Sequence, residues 1–169
     1  FGSRDIWFVV ALPVFLYSVL EWQFSKVGAY LALWVIGYGI IQAATPRLLK
    51  RSHHGTGPDG KTARYWAFML APLPALIAIA LHYDYLTQYV LLIGLVIFGA
   101  VFAINSAVHS YLIVAWSELD KVSMNVGFYY MANAAGRLTG TVLSGWLYQQ
   151  YGLEACLYCA SGFVLVAAL

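Results

Sequence analysis

The chain has 169 residues, of which 62% are hydrophobic, 17% aromatic and only 9% charged, and its formal net charge at pH 7 is +2. A composition this apolar excludes an ordinary soluble domain and indicates a protein embedded in a lipid bilayer. The small net charge carries no signature of nucleic-acid binding.

Hydropathy along the chain predicts an all-α membrane protein with six transmembrane helices. The predicted spans cover residues 6–22, 27–46, 64–82, 88–113, 124–148 and 153–169. Their lengths are those that an α-helix needs to cross a bilayer, about 17–25 residues. We expect Pro13 to kink the first span, and Pro72 and Pro74 to bend or break the third, since proline removes a helical hydrogen bond.

An aromatic stripe runs along the second span. Tyr30, Trp34, Tyr38 and Gln42 recur every four residues and therefore share one helix face. Such a stripe is more often used for packing or for anchoring at the membrane interface than for binding a ligand. If it faces a polar cavity, however, it forms a wall of the site, which makes Tyr38 and Gln42 candidate binding residues. Pro46 is predicted to end this helix.

Two pairs of potential metal ligands occur in the sequence. His53 and His54 lie in the hydrophilic loop 47–63, which we expect to be cytoplasmic, and Cys156 and Cys159 lie in the last span. Neither pair has further ligands at a suitable spacing. We therefore interpret the loop as solvated and the cysteines as small core residues, and expect no metal or cofactor.

The second half of the fourth span is polar for a membrane helix. Asn105 and His109 are one turn apart and share a face, with Ser106 and Ser110 beside them. His109 is either a neutral, hydrogen-bonded core residue or a proton-linked site, since imidazole titrates near neutral pH.

The fifth span carries a polar face around a permanent charge. The members of this polar face recur every four residues: Asn125, Tyr129, Asn133, Arg137 and Thr141. An arginine near a helix centre costs about 2.5–3.5 kcal/mol on insertion scales, so Arg137 should face a water-filled cavity or a partner rather than lipid. It either contacts a substrate or is structural, satisfied by backbone carbonyls or by a carboxylate on a helix outside this chain.

A second face of the same span consists of small residues. Ala132, Gly136, Gly140 and Ser144 recur every four residues, roughly 100° around the helix from the polar face. Small residues at this spacing allow another helix to approach closely. We predict that this small-residue face is used for helix packing.

The basic residues between the predicted spans are distributed unevenly. One side of the membrane receives Arg4, Arg47, Lys50, Arg51, Lys61, Arg64 and Lys121, and the other receives Lys26. The positive-inside rule makes the basic side cytoplasmic, so the first span leaves the cytoplasm and the sixth returns to it. The acids Glu21, Asp84 and Glu154 then lie on the outer side.

Six spans with one basic loop between the second and third match half of a twelve-helix secondary transporter, whose substrate lies at the midplane between two six-helix halves. The chain lacks an initiator Met and stops within an apolar run. We therefore expect a fragment, the C-terminal half, whose partner is a missing N-terminal six-helix half.

Several stretches carry a more specific resemblance. They are SRDIWFVVALPVFLYS, LALWVIGYGIIQA, NSAVHSYLIVAW and DKVSMNVGFYYMANAAGRLTGTVLSGWLYQ. Together they resemble the organoarsenical efflux permeases of bacterial arsenic-resistance operons (the ArsJ type), which belong to the major facilitator superfamily. The resemblance covers nearly the whole chain and is most specific in NVGFYYMANAAGRLTG.

This resemblance implies a permease of the bacterial inner membrane, and not an enzyme. Its substrate would be 1-arseno-3-phosphoglycerate, which forms when glyceraldehyde-3-phosphate dehydrogenase uses arsenate in place of phosphate. Once exported, the unstable ester releases arsenate, so efflux gives arsenate resistance. The alternatives are a facilitator for another organic anion or a drug, a membrane-embedded enzyme, and a structural half without transport activity. The spans lack the intramembrane acids that an enzyme would need.

An anionic cargo fits the polar residues of the spans. A guanidinium is a rigid donor fork that matches phosphate and arsenate oxygens, and neutral side chains could bind the glycerate part. The candidate substrate-binding residues, chosen by spacing, are Arg137, Asn133, Tyr129, Asn125, Asn105, His109, Tyr38 and Gln42.

Overall fold

The computed structural model describes residues 2–52, 57–83, 87–117 and 121–169. The His53–His54 pair, Asp84 and the side chains of Lys50 and Arg51 lie outside the described residues. Within these ranges the regular elements are all helices: a π-helical turn at Trp7–Ala11, followed by α1 (Leu12–Ser18), α2 (Phe24–Ser52), α3 (Gly60–Leu70), α4 (Pro72–His82), α5 (Thr87–Ala115) and α6 (Val122–Ala168). The prediction of an all-α fold is confirmed.

Four helical stretches in the described part of the chain are long and apolar enough to cross a membrane. They are Phe24–Leu49, Gly60–His82, Thr87–Ala115 and Val122–Ala168, and Trp7–Ser18 is a shorter apolar stretch. The longest is interrupted at Gly152, whose φ of 77° is a left-handed conformation that glycine adopts without a steric penalty. Gly152 therefore divides α6 into 122–151 and 153–168. That the chain crosses the membrane six times stays a prediction.

The prolines affect the helices in different ways. The prediction that Pro46 ends the second helix is wrong, because α2 continues through it to Ser52. The Thr45 hydroxyl donates to the carbonyl of Ile41 at 2.7 Å, and such side-chain bonds help a membrane helix to accommodate a proline. The third predicted span is divided into α3 and α4 at Ala71, directly before Pro72, although Ala71 keeps helical backbone angles and the two helices continue each other.

The loop predicted at 47–63 is shorter in the structure. Residues 47–52 belong to α2 and residues 60–63 to α3. The helix α3 starts at Gly60 because Asp59 caps it, with Oδ1 accepting hydrogen bonds from the Thr62 amide and from the Thr62 hydroxyl, both at 2.8 Å.

The N-terminal segment (residues 2–18) runs parallel to α6 and supplies part of the core. Along it, the Ser3 hydroxyl donates to the Gly136 carbonyl at 2.6 Å, and the Ala11 amide donates to the Ser144 hydroxyl at 3.2 Å. Trp7 is fully buried and its ring meets that of Phe98 of α5 edge to face, at a centroid distance of 5.0 Å. The segment is therefore held between α5 and α6.

The small-residue face of α6 lies against this segment. A Cβ added to Gly136 would lie 2.9 Å from the Cα of Gly2, and one added to Gly140 would lie 3.3 Å from the Cα of Ser3. Ala132 is exposed instead, because the N-terminal segment meets α6 from Asn133 onwards. Glycine is thus required where two backbones touch.

This packing corrects the predicted position of Arg4. The sequence placed Arg4 among the basic residues at the cytoplasmic edge of the membrane, because it precedes the first apolar run. In the structure Arg4 is 7% exposed and lies level with Asn133, near the middle of the predicted fifth span. The depth of this arginine is set by its packing on α6 and not by its place before Ile6.

Candidate functional site

A polar cavity of about 260 Å³ lies between the N-terminal segment, α2, α5 and the first part of α6. Its lining includes charged, polar and aromatic side chains: Arg4, Asp5, Phe8, Trp34, Val35, Tyr38, Gln42, Phe102, Ser106, Ser110, Tyr129, Tyr130, Asn133 and Arg137. The apolar helices of this chain thus enclose a site that carries several charges and hydrogen-bonding groups.

The structure brings part of the predicted site together in this cavity. Five of the predicted binding residues line it, namely Arg137, Asn133, Tyr129, Tyr38 and Gln42. Because α6 turns about 100° per residue, a spacing of four places three of these side chains on one face. Their role in binding stays a prediction.

The other three predicted residues do not line the cavity. Asn125 lies towards the start of α6 and away from it, whereas Asn105 is fully buried in α5 and its amide group has no hydrogen-bond partner among the described residues. His109 Nδ1 lies 2.9 Å from the Asn105 carbonyl oxygen, so this nitrogen carries the donated proton. His109 lines a separate depression together with Arg64 and Trp116.

Arg4 is the most enclosed charge in the cavity wall. Its Nη2 donates to the Ser106 hydroxyl at 3.1 Å, and its Nη1 lies 3.5 Å from the Asn133 side-chain oxygen. Its guanidinium carbon also lies 4.3 Å from the ring centroid of Phe102, which is a cation–π distance. Three neighbours thus fix a positive charge at one side of the cavity.

Arg137 is the more accessible of the two arginines. One of its Nη atoms lies 3.5 Å from an oxygen of Asp5, and the two side chains are 58% and 13% exposed, respectively. The sequence alternative placed such a carboxylate on a helix outside this chain, whereas Asp5 belongs to this chain, and a substrate contact of Arg137 stays a prediction. The contact is longer than the about 2.7–2.9 Å of a charge-assisted hydrogen bond. Among the described residues that line the cavity, the charges of Arg4, Arg137 and Asp5 sum to +1.

The aromatic stripe of α2 forms the opposite wall. Trp34 and Tyr38 stack with their ring centroids 5.8 Å apart, and Trp34 Nε1 donates to the Leu95 carbonyl at 2.8 Å. The close approach of Trp34 to α5 requires Gly99, because a Cβ there would lie 2.9 Å from the indole. Tyr30, the first member of the stripe, packs against Trp22 instead.

The sequence reasoning missed Arg4 and Asp5 as site residues. Their signal was the Gly2–Ser3 pair that precedes them, because a small-small pair complements a glycine ladder on another helix. No group of three or more potential metal ligands occurs among the residues that the structure describes, and Cys156 and Cys159 are free thiols.

Comparison with protein families gives one match. The family model described as Major Facilitator Superfamily matches residues 2–169. Neither the curated proteins nor the solved structures give a match. The family match therefore covers both the helices and the cavity, whereas the more specific resemblance to organoarsenical permeases receives no support from these comparisons.

Proposed function

Because the chain belongs to the major facilitator superfamily, a family of membrane transporters, we propose that it forms one half of a secondary active permease that exports a small organic anion. The observation that carries this proposal is the pair of arginines, Arg4 and Arg137, that line one cavity in which Asp5 is the single carboxylate among the described lining residues. Charged groups within the membrane are costly, and they are retained mainly where they act on a substrate or an ion.

The charge balance of the cavity favours an anion. The described lining residues carry a formal charge of +1 and are surrounded by apolar helices. The effective dielectric there is lower than in water, so the positive potential extends further than it would in water. Arg137, with 58% of its side chain exposed, can present its donor fork to a phosphate, arsenate or carboxylate group.

Neutral groups beside the arginines suit the rest of a small hydroxy acid. Tyr129, Asn133 and Gln42 can donate or accept hydrogen bonds to hydroxyl and carboxylate oxygens. The stacked rings of Trp34 and Tyr38 form an aromatic wall on the α2 side of the cavity. Such a wall strengthens the electrostatic attraction within the cavity.

A second six-helix half would complete the site. The cavity of about 260 Å³ is slightly smaller than the about 300–1,000 Å³ typical of ligand pockets. In this architecture the substrate is held between two halves at the midplane, so the partner half supplies the facing wall. The same arrangement allows the site to open alternately to the two sides of the membrane.

The resemblance in the sequence suggests the specific cargo, 1-arseno-3-phosphoglycerate. In that case the protein acts in the inner membrane of a bacterium, receives the ester formed by glyceraldehyde-3-phosphate dehydrogenase and detoxifies arsenate by efflux. The alternative is a facilitator of the same architecture for another organic anion or for a drug.

Everted membrane vesicles that carry the full-length protein test the proposal. Their cytoplasmic face points outwards, so export by the protein is measured as uptake into the vesicles. Vesicles are given arsenate and phosphate, each with and without glyceraldehyde-3-phosphate dehydrogenase, glyceraldehyde 3-phosphate and the oxidant NAD+. We expect uptake of arsenic when the enzyme generates the ester, no uptake of free arsenate or phosphate, and no uptake with Arg137→Ala. Uptake of other phosphorylated acids at the same rate would favour the alternative anion. Uptake of neutral or cationic compounds alone would refute an anion site.

A further inference from the structure

The geometry of the cavity points to a specific role for Asp5. We propose that its carboxylate is an internal competitor of the transported anion: it occupies Arg137 while the cavity is empty and yields this arginine to the substrate, and thereby sets affinity and release. The inference rests on the proposed function as an anion transporter and assigns the residue that regulates its binding site.

The side chains of Asp5 and Arg137 are close enough to attract each other, but their contact is long enough for a substrate anion to replace Asp5. Asp5 lies 3.5 Å from one Nη of Arg137, beyond the about 2.7–2.9 Å of a charge-assisted hydrogen bond. Arg137 is 58% exposed, so much of its guanidinium remains accessible from the cavity while Asp5 is in place. An entering oxyanion can therefore form bidentate hydrogen bonds with Arg137 that are shorter than the contact between Arg137 and the Asp5 carboxylate.

Asp5 cannot withdraw far from the cavity once displaced. Its backbone carbonyl accepts a hydrogen bond from the Phe8 amide at 2.9 Å, and the next residues form the buried start of the π-helical turn. Its side chain is only 13% exposed. The displaced carboxylate thus stays beside the bound anion, and the repulsion between the two lowers the affinity.

Arg4 is not suited to the same exchange. It is buried and already bound to Ser106, Asn133 and the ring of Phe102. Among the described residues, the charged or phenolic side chains that line the cavity with Asp5 are Arg4, Arg137, Tyr38, Tyr129 and Tyr130. Arg4 supplies a fixed positive charge, whereas Arg137 is shared between Asp5 and the substrate.

Competition between Asp5 and the substrate for Arg137 suits a transporter, because a carrier must release what it binds. Two arginines without a counter-charge would hold a polyanion tightly and slow its release. The carboxylate of Asp5 is ready to take Arg137 back as the anion leaves. Removal of this carboxylate should therefore increase affinity and decrease turnover.

The test measures binding and transport separately. Full-length protein in lipid nanodiscs is titrated calorimetrically with 3-phosphoglycerate, a stable phosphorylated three-carbon acid, for wild type and Asp5→Asn. We expect Asp5→Asn to bind it about two- to fivefold more tightly, the range expected for loss of one partly exposed ion pair. In everted vesicles both KM and the maximal rate should fall, which a merely structural role would not produce.

Glu154→Gln is the matched control. Glu154 is also a carboxylate beside a basic side chain, 3.3 Å from His82, but it does not line the cavity. Its substitution should leave the affinity for 3-phosphoglycerate unchanged. In the double variant with Arg137→Gln, the gain from Asp5→Asn should be smaller, because only the repulsion between the carboxylate and the anion is then removed.

Each outcome decides the question. If wild type binds 3-phosphoglycerate and Asp5→Asn binds it equally or less tightly, the inference is overturned and the proposed function stands. If neither protein binds 3-phosphoglycerate or inorganic phosphate, the proposed anion site falls together with it. If Asp5→Asn does not fold, Asp5→Glu decides, because its longer side chain should compete better and weaken binding. Unchanged or tighter binding by Asp5→Glu would then refute the proposal.

Discussion

The small-residue face and the polar face of α6 meet the same short stretch, residues 2–5, in two different ways. On the small-residue face, Gly136 and Gly140 touch the backbone of Gly2 and Ser3. On the polar face, Asn133 and Arg137 meet the side chains of the two residues that follow. One contact is steric and the other electrostatic, and the first determines where the second can form.

The difference shows how a membrane protein places charge at depth. A charged residue in a membrane requires a partner, and the partner must approach closely before it can help. Glycines provide this approach without a side chain in between. Substitutions on the small-residue face should therefore affect folding, whereas substitutions on the polar face should affect transport in a protein that still folds.

Gly136→Leu should break the steric contact and have the largest effect. Even a Cβ at this position would lie 2.9 Å from the Cα of Gly2, so a leucine forces the two backbones apart. Overpacking costs about 1–3 kcal/mol or more, and we expect most of the protein to be lost. Size-exclusion chromatography of a detergent extract measures this. Gly145→Ala is the control, since a Cβ there meets nothing within 4 Å. Normal expression with normal transport would refute the role of the glycine.

Arg137→Ala should abolish transport and arsenate resistance while the protein still inserts in the membrane. Loss of hydrogen bonds to a charged group reduces binding about tenfold or more. Arg137→Lys should also impair export, because a point charge cannot replace the donor fork. Resistance of cells and uptake by vesicles are measured at matched protein levels. Retained resistance in the alanine variant would remove Arg137 from the site, and a fully active lysine variant would indicate bulk electrostatics.

Ser106→Ala should produce an effect on both stability and transport, because it removes a partner of the buried Arg4 guanidinium. We expect a loss of about 1–3 kcal/mol in stability and a partial loss of transport. Thermal unfolding in detergent measures the first. Ser110→Ala, one turn further along α5 in the same cavity, is the matched control and should unfold at the wild-type temperature. Equal behaviour of the two variants would contradict the importance of the Arg4–Ser106 bond.

Asp59→Ala should have the smallest effect, because Asp59 touches neither face. Hydrogen bonds from the Thr62 amide and hydroxyl lower the pKa of this exposed carboxyl. Because the folded-state pKa is depressed, the stabilisation is present above the unfolded-state pKa and is lost as pH falls through the folded-state value. At neutral pH the variant should unfold at a slightly lower temperature than wild type, and at strongly acidic pH the two unfolding temperatures should be equal. Transport should be unchanged. Loss of transport would show that the start of α3 is coupled to the cavity.

Both faces of α6 could be read from the sequence, because a spacing of four residues fixes which side chains share a helix face. The same holds for Tyr38 and Gln42 on α2. The positions of Arg4 and Asp5 could not be read in this way. A charged pair before an apolar run is typical of the edge of a span. The depth of Arg4 and Asp5, however, depends on the register between the N-terminal segment and α6. The continuation of α2 beyond Pro46 was equally hidden, since neighbouring contacts decide whether a proline ends a helix.

The hydrogen bond from Ser3 to the Gly136 carbonyl has a consequence for movement. The bond is 2.6 Å long and joins two backbones that Gly2 and Gly136 allow to approach closely, so a slide of one residue, about 1.5 Å, would break it. We therefore expect the backbones that carry Arg4, Asp5, Asn133 and Arg137 to move together when the carrier changes its orientation, while the Asp5 and Arg137 side chains can still separate. Rearrangement of the cavity within this half would then come from α2 and α5, whose aromatic and serine side chains would move relative to these backbones.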